Sequence, residues 1–145
     1  MAITFRTGSR KQLRLRMMID GPAKAGKTIT ALRFAYALAP TGRVLVIEAG
    51  ERGAAEKYYG EEFDGRRWDF DICQLDTYSP EAYTEAVQEA GRQGYEAVVI
   101  DSLSHEWVGK GGVLEIAAKG SGPFGSLNAF RALNLSFWRN SNRLP

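Results

Sequence analysis

The stretch Gly21-Pro22-Ala23-Lys24-Ala25-Gly26-Lys27-Thr28 decides the fold. It matches the phosphate-loop pattern G-x-x-x-x-G-K-[ST] at every position. The two glycines let the backbone curl so that successive N–H groups point toward an anion. The lysine reaches the terminal phosphates of a nucleotide, and the threonine hydroxyl coordinates Mg²⁺. These eight residues, with Ile29 in the helix that follows, are the predicted cofactor-binding site.

Apolar runs and helical periodicity alternate on both sides of this loop. The predicted strands are Leu13–Asp20, Val44–Ile47, Phe70–Leu75 and Ala97–Ile100. The predicted helices are Lys27–Ala39, a segment opened by the cap Ser79-Pro80 and ending near Gly91 or Gly94, and an amphipathic stretch from Leu127 to Phe137. Residues 50–68 are expected to form a helix and a loop, and the glycines after residue 108 indicate loop. This alternation predicts an α/β fold with a parallel sheet whose ligand binds at the carboxyl ends of the strands.

A magnesium-nucleotide site needs a carboxylate on a neighbouring strand. Asp101 directly follows the most apolar strand and is the predicted metal residue, together with Thr28. Hydrolysis also needs a group that orients the attacking water. Glu48 and Glu51 follow the Val44–Ile47 strand and are both candidates, so the predicted catalytic residues are these two glutamates and Lys27.

Ser102 and His105 lie just after the predicted metal aspartate and could sense the terminal phosphate. His105 is the only histidine, and a structural hydrogen-bonding role is favoured over that of a catalytic base. A serine-hydrolase site is not supported, because the sequence has no G-x-S-x-G motif. A GTPase is disfavoured, because no N-K-x-D motif occurs.

Length and composition indicate one ordinary domain, residues 1–145. Hydrophobic residues make up 44% and charged residues 25%, which argues against wholesale disorder. No apolar run is long enough to span a bilayer, and a single cysteine, Cys73, excludes an internal disulfide. The expected compartment is therefore the cytoplasm, with no membrane partner.

Charge is distributed unevenly along the chain. Residues 1–19 and 116–145 carry bases and no acid, and all 17 acids lie between them. We treat 1–12 as a basic N-terminal segment and 116–145 as an atypical basic tail. Such ends could contact a nucleic-acid backbone, although solvated tails explain them equally well.

Several segments together resemble the RecA-like ATPases of bacteriophages, usually labelled AAA-family ATP-binding proteins. The resemblance covers about Leu13 to Glu115 and rests on GPAKAGKT (21–28), VLVIEAGERGAAEKY (44–58), DTYSPEAYTEAV (76–87), VVIDSLSHEW (98–107) and GKGGVLE (109–115). The last two segments are more specific than a generic pair of nucleotide-binding motifs.

The resemblance implies a RecA-like P-loop NTPase that binds ATP and Mg²⁺ and, in full-length members, hydrolyses ATP. For some members it implies a role in phage DNA recombination or single-strand annealing, with single-stranded DNA, recombination proteins and a homo-oligomer as expected partners and the host cytoplasm as the compartment. By position, Gly21 to Thr28 match the phosphate loop, Asp101 the magnesium residue and Glu51 the water-orienting glutamate. One inserted residue leaves Glu48 competing with Glu51.

Residues after Glu115 depart from this pattern, because they contain no second apolar strand and are rich in glycine and asparagine. We expect a truncated or frame-altered member whose core is incomplete. Two other classes stay open: a P-loop kinase acting on a small molecule, and a nucleotide-binding module without turnover. A kinase needs a lid with several late arginines, for which only Arg131, Arg139 and Arg143 are available.

Overall fold

The structure, a computed structural model, describes residues 15–50 and 53–119. It is an α/β fold with a three-stranded parallel sheet and flanking helices. Its elements are, in chain order, α1 Lys27–Leu38, β1 Val44–Glu48, a 3₁₀ turn Glu56–Tyr58, β2 Glu62–Phe63, β3 Arg66–Arg67, β4 Asp71–Gln74, α2 Pro80–Arg92, β5 Ala97–Asp101, α3 Ser104–Val108 and α4 Val113–Lys119.

The parallel sheet has the strand order β4-β1-β5. Every residue of the central strand β1 is buried, which explains its apolar run Val44–Ile47. Glu48, the last residue of β1, is in register with Gln74 on one side and Asp101 on the other. The polar side chains that follow the apolar runs are therefore gathered at one edge of the sheet, as the sequence predicted.

Two hydrophobic clusters form the core, one containing residues of α1 and the other residues of α2. Val44 and Val46 belong to the cluster with Leu32 and Tyr36 of α1. Leu45 and Ile47 belong to the cluster with residues of α2, including Ala90. Because successive side chains of a strand point to opposite faces, the single apolar run of β1 serves both clusters. The predicted helices over Lys27–Ala39 and after Ser79-Pro80 are confirmed, and Ser79 Oγ accepts the Ala82 N–H at 3.2 Å.

The expectation of a helix within residues 50–68 was wrong for the described part of this segment. It contains a short 3₁₀ turn and an antiparallel hairpin of β2 and β3. Asp64 and Gly65 connect the two strands, with φ values of 53° and 73°. Positive φ at both central residues is typical of the tight hairpin turn that Asp-Gly favours. The Arg66 guanidinium in β3 donates to the carbonyls of Tyr36 and Ala39, so the hairpin caps the end of α1.

The predicted strand over Leu13–Asp20 was also wrong for its described residues. Residues 15–20 belong to neither sheet, and Leu15 and Met18 are 61% and 84% exposed. A strand is stabilised by hydrogen bonds to a neighbouring strand, and this segment has none of that kind within the described ranges. Residues 13 and 14 lie outside them.

The glycine-rich segment after β5 is not simply loop, because it contains α3 and α4. The first residues of the proposed tail, 116–119, therefore belong to α4. Residues 1–12, the remaining tail and the predicted Leu127–Phe137 stretch lie outside the described residues. None of the helices in the described ranges has the length and apolar character needed to cross a bilayer.

Candidate functional site

The glycine loop, residues 21–28, leads directly into α1. Lys24 and Gly26 have φ values of 65° and 82°, and the Ala25 N–H bonds to the Pro22 carbonyl at 3.3 Å. Gly26 is the N-cap of α1, and its left-handed backbone explains why glycine stands there. No side chain among the described residues caps the helix start, and its first turn holds no acid. The positive end of α1 is thus available to an anion.

Within this loop, Pro22, Ala23, Lys24 and Ala25 are exposed, and Ile29 in the first turn of α1 packs against the core. The Lys27 ammonium lies over the loop itself. Its Nζ donates to the carbonyls of Gly21 and Pro22 at 2.9 and 2.8 Å. Lys27, the lysine that the phosphate-loop pattern requires, therefore lies beside the loop backbone.

Thr28 and Asp101 are in direct contact, although they are far apart in sequence. The Thr28 hydroxyl donates to Asp101 Oδ2 at 2.6 Å, and the pair is partly buried. A hydroxyl and a carboxylate supply the oxygen ligands that Mg²⁺ prefers. The described residues contain no cluster of three or more His, Cys, Asp or Glu side chains that could hold a metal. The oxygen chemistry of the pair suits a magnesium ion that takes few ligands from protein and others from phosphate and water.

Glu48 is also at this edge but its carboxylate is already engaged. The side chain is 2% exposed, and its two oxygens accept N–H groups of Gly53 and Ala55 at 3.0 and 3.1 Å. Glu48 therefore holds the segment after β1 in place. Glu51 lies outside the described residues, so the water-orienting role of either glutamate stays a prediction.

A glycine at position 50 makes close contact with His105. Gly50 has φ 98°, and a β-carbon there would overlap the His105 imidazole at its Nε2 side. His105 Nδ1 lies 3.4 Å from Ser102 Oγ, and the imidazole lies 5.4 Å from the Tyr78 ring, centroid to centroid. Sequence reasoning singled out Ser102 and His105 but missed Gly50 and Tyr78.

Ionisable groups pack behind this contact. Burial, and then the nearby Glu81 carboxylate, raise the pKa of Glu106 in α3. Burial, and then the Glu106 carboxylate, raise the pKa of Tyr83, whose hydroxyl donates to the Ser102 carbonyl at 3.4 Å. These groups connect α2 and α3 to the end of β5.

Comparison with known protein families, characterised proteins and solved structures gives no match to this chain.

Proposed function

We propose that this chain binds Mg-ATP at the glycine loop and is a RecA-like P-loop ATPase serving phage DNA recombination or single-strand annealing. The proposal is carried by the 2.6 Å contact between Thr28 Oγ1 and Asp101 Oδ2. A chance glycine-rich turn has no reason to direct the final hydroxyl of its motif at an aspartate that ends a neighbouring parallel strand. The resemblance of residues 13–115 to phage ATPases supplies the choice of ATP and of DNA.

Each residue of the proposed site has a distinct task. The loop N–H groups and the start of α1 hold the phosphates, and Lys27 neutralises their charge. Thr28 and Asp101 would hold the magnesium ion, the hydroxyl directly and the carboxylate through the metal's water shell. The ion, when bound, supplies positive charge that compensates the phosphate oxygens. Glu48 keeps the backbone after β1 fixed while these groups act.

Binding without turnover is the second candidate, and the position of Glu48 favours it. The residue is 2% exposed and its carboxylate already accepts two backbone N–H groups, so a water could reach it only if the segment after β1 moved. A carboxylate bonded in this way is better suited to a structural task. In this second reading the chain senses or stores nucleotide instead of hydrolysing it.

Measurements of ATP affinity, phosphate release and phosphate transfer distinguish the ATPase, binding without turnover and the small-molecule kinase. ATP affinity is measured by calorimetry in Mg²⁺ and in EDTA, and phosphate release is then measured with and without single-stranded DNA. We expect binding that depends on Mg²⁺, and stimulation of release by DNA would support the ATPase. Binding without release would favour the second candidate, and transfer of phosphate to a metabolite would favour a kinase. Absence of ATP binding would refute the proposal.

The basic ends of the chain, residues 1–19 and 116–145, are the candidates for contact with DNA phosphates. If they contact phosphates, DNA-stimulated release should weaken steeply as salt increases, because binding releases condensed counterions. Stimulation that does not change between low and high salt would count against a role for these ends.

A further inference from the structure

The contact between Gly50 and His105 extends into a longer series of packed groups. The imidazole lies against Gly50 on one side and near the Tyr78 ring on another. The Tyr78 ring packs in turn against Gly109, where a β-carbon would overlap it, and the Tyr78 N–H bonds to the Lys110 carbonyl at 3.0 Å. The His105 and Tyr78 rings thus connect the segment after β1, the segment after β4 and the turn between α3 and α4.

Backbone hydrogen bonds already tie the ends of β1 and β5 together here. The Ala49 N–H donates to the Asp101 carbonyl at 3.0 Å, and the Ser102 N–H donates to the Ala49 carbonyl at 3.5 Å. Gly50 is the next residue after this pair and directly precedes Glu51. The His105 imidazole therefore packs against the backbone that leaves the end of β1 next to Asp101.

We propose that His105 is a positioning residue for the terminal phosphate of ATP. Its imidazole acts as a spacer that fixes the backbone after β1 relative to Asp101. This inference rests on the proposed function. It assigns His105 a role in discriminating ATP from ADP, because the backbone that it packs against is hydrogen-bonded through Ala49 to Asp101, which in turn accepts the Thr28 hydroxyl.

Ring shape is the property that this role requires. His105→Phe keeps a planar ring against Gly50, and His105→Asn keeps a polar atom near the Nδ1 position but has no ring. His105→Ala removes both. Ser104→Ala is the matched control, because Ser104 is an exposed neighbour in the same helix.

The decisive measurement is the ratio of Mg-ATP to Mg-ADP affinity for the full chain and each variant. We expect His105→Ala and His105→Asn to lower the preference for ATP by roughly 2- to 30-fold, and His105→Phe and Ser104→Ala to preserve it. A purely structural role would weaken the binding of both nucleotides equally and leave the affinity ratio unchanged. An unchanged ratio in His105→Ala, with the parent binding both nucleotides, overturns this inference alone. A parent that binds neither nucleotide overturns the proposed function as well.

A double-mutant cycle tests the contact without any nucleotide. Gly50→Ala places a β-carbon against the imidazole and should destabilise the parent in urea unfolding. The same change should destabilise less in the His105→Ala background, because the ring is gone while the backbone strain at Gly50 is the same in both. Equal destabilisation in both backgrounds would show that the ring does not press on Gly50 and would refute the inference.

Discussion

Lys27 is the residue whose loss should weaken nucleotide binding most. In the free chain its ammonium bonds to the Gly21 and Pro22 carbonyls, so the charge is already held at the loop. Lys27→Ala should weaken Mg-ATP binding by roughly 10- to 100-fold, the range expected for losing a charge-assisted hydrogen bond. Calorimetric titration gives the affinity directly.

Lys24→Ala is the control for this prediction. Lys24 lies in the same loop and is exposed, and its φ of 65° is equally accessible to alanine and lysine. Its removal takes away one positive charge without removing a group bonded to the loop carbonyls. Equal losses of affinity in the two variants would mean that Lys27 acts only through net charge, contrary to the proposed role.

Asp101→Asn should weaken the magnesium dependence of ATP binding without disrupting the fold. In the parent the Thr28 hydroxyl donates to an Asp101 carboxylate oxygen at 2.6 Å. The amide oxygen of asparagine can accept the same hydrogen bond, so the fold should persist. The negative charge that would hold the metal's water shell in the proposed site is lost, so the advantage of Mg²⁺ over EDTA in ATP affinity should shrink. Circular dichroism checks the fold. An unchanged Mg²⁺-to-EDTA ratio would place the metal elsewhere.

Glu48 anchors the loop after β1, so its removal should lower the stability of the fold. Glu48→Ala removes the acceptor of two backbone N–H groups and should destabilise the fold by about 1–3 kcal/mol in urea unfolding. Glu48→Gln keeps one acceptor oxygen and should cost less. Glu61→Gln, at an exposed site of the same region, should cost little. If Glu48→Gln were fully stable yet abolished phosphate release, the water-orienting role would be preferred.

Elements whose stability is encoded locally were predictable from the sequence. The Val44–Ile47 run of β1 is apolar because both of its faces are covered, and Ser79 and Pro80 mark the start of α2. Residues 15–20 were mistaken for a strand because apolar character does not reveal whether a partner strand is present. The hairpin of β2 and β3 was missed although Asp64-Gly65 is its usual signal.

The candidate site was predictable to the extent that it follows from strand direction. Parallel strands end at the same edge, which is why Asp101 was expected beside Glu48. Among the described residues, the loop that holds Thr28 follows no strand of the sheet, and it reaches Asp101 through the first turn of α1. The Gly50–His105 contact could not be foreseen. It depends on the rotamer of one ring and on the placement of a five-residue helix, and no periodicity encodes either.

At the scale of the whole molecule, Mg-ATP should stabilise the chain by mass action. A hundredfold excess over the dissociation constant should raise the free energy of unfolding by about 2.7 kcal/mol. Urea unfolding with and without ligand measures this gain. Lys27→Ala should gain clearly less at the same ligand concentration, and an equal gain would point to binding outside the glycine loop.

Turnover by the chain alone should be far slower than the ~10 s⁻¹ typical of enzymes. A cation at the terminal phosphate is worth roughly 10³–10⁵ in rate. The arginines with identified partners bond outside the glycine loop: Arg33 to Asp64, Arg43 to Gln93, Arg66 to the end of α1, Arg67 to Asp69 and Arg92 to Glu89. Steady-state phosphate release near the typical rate would contradict this expectation.

The strand order β4-β1-β5 has a consequence during synthesis on the ribosome. The strand that becomes the centre of the sheet is made first, and its second partner is completed roughly 50 residues later. At ~5–20 residues per second, the edge of Val44–Ile47 that pairs with β5 waits roughly 3–10 seconds for its partner, with its backbone groups unpaired. Chaperone binding to nascent chains should therefore be strongest when synthesis has passed β1 but has not reached Asp101.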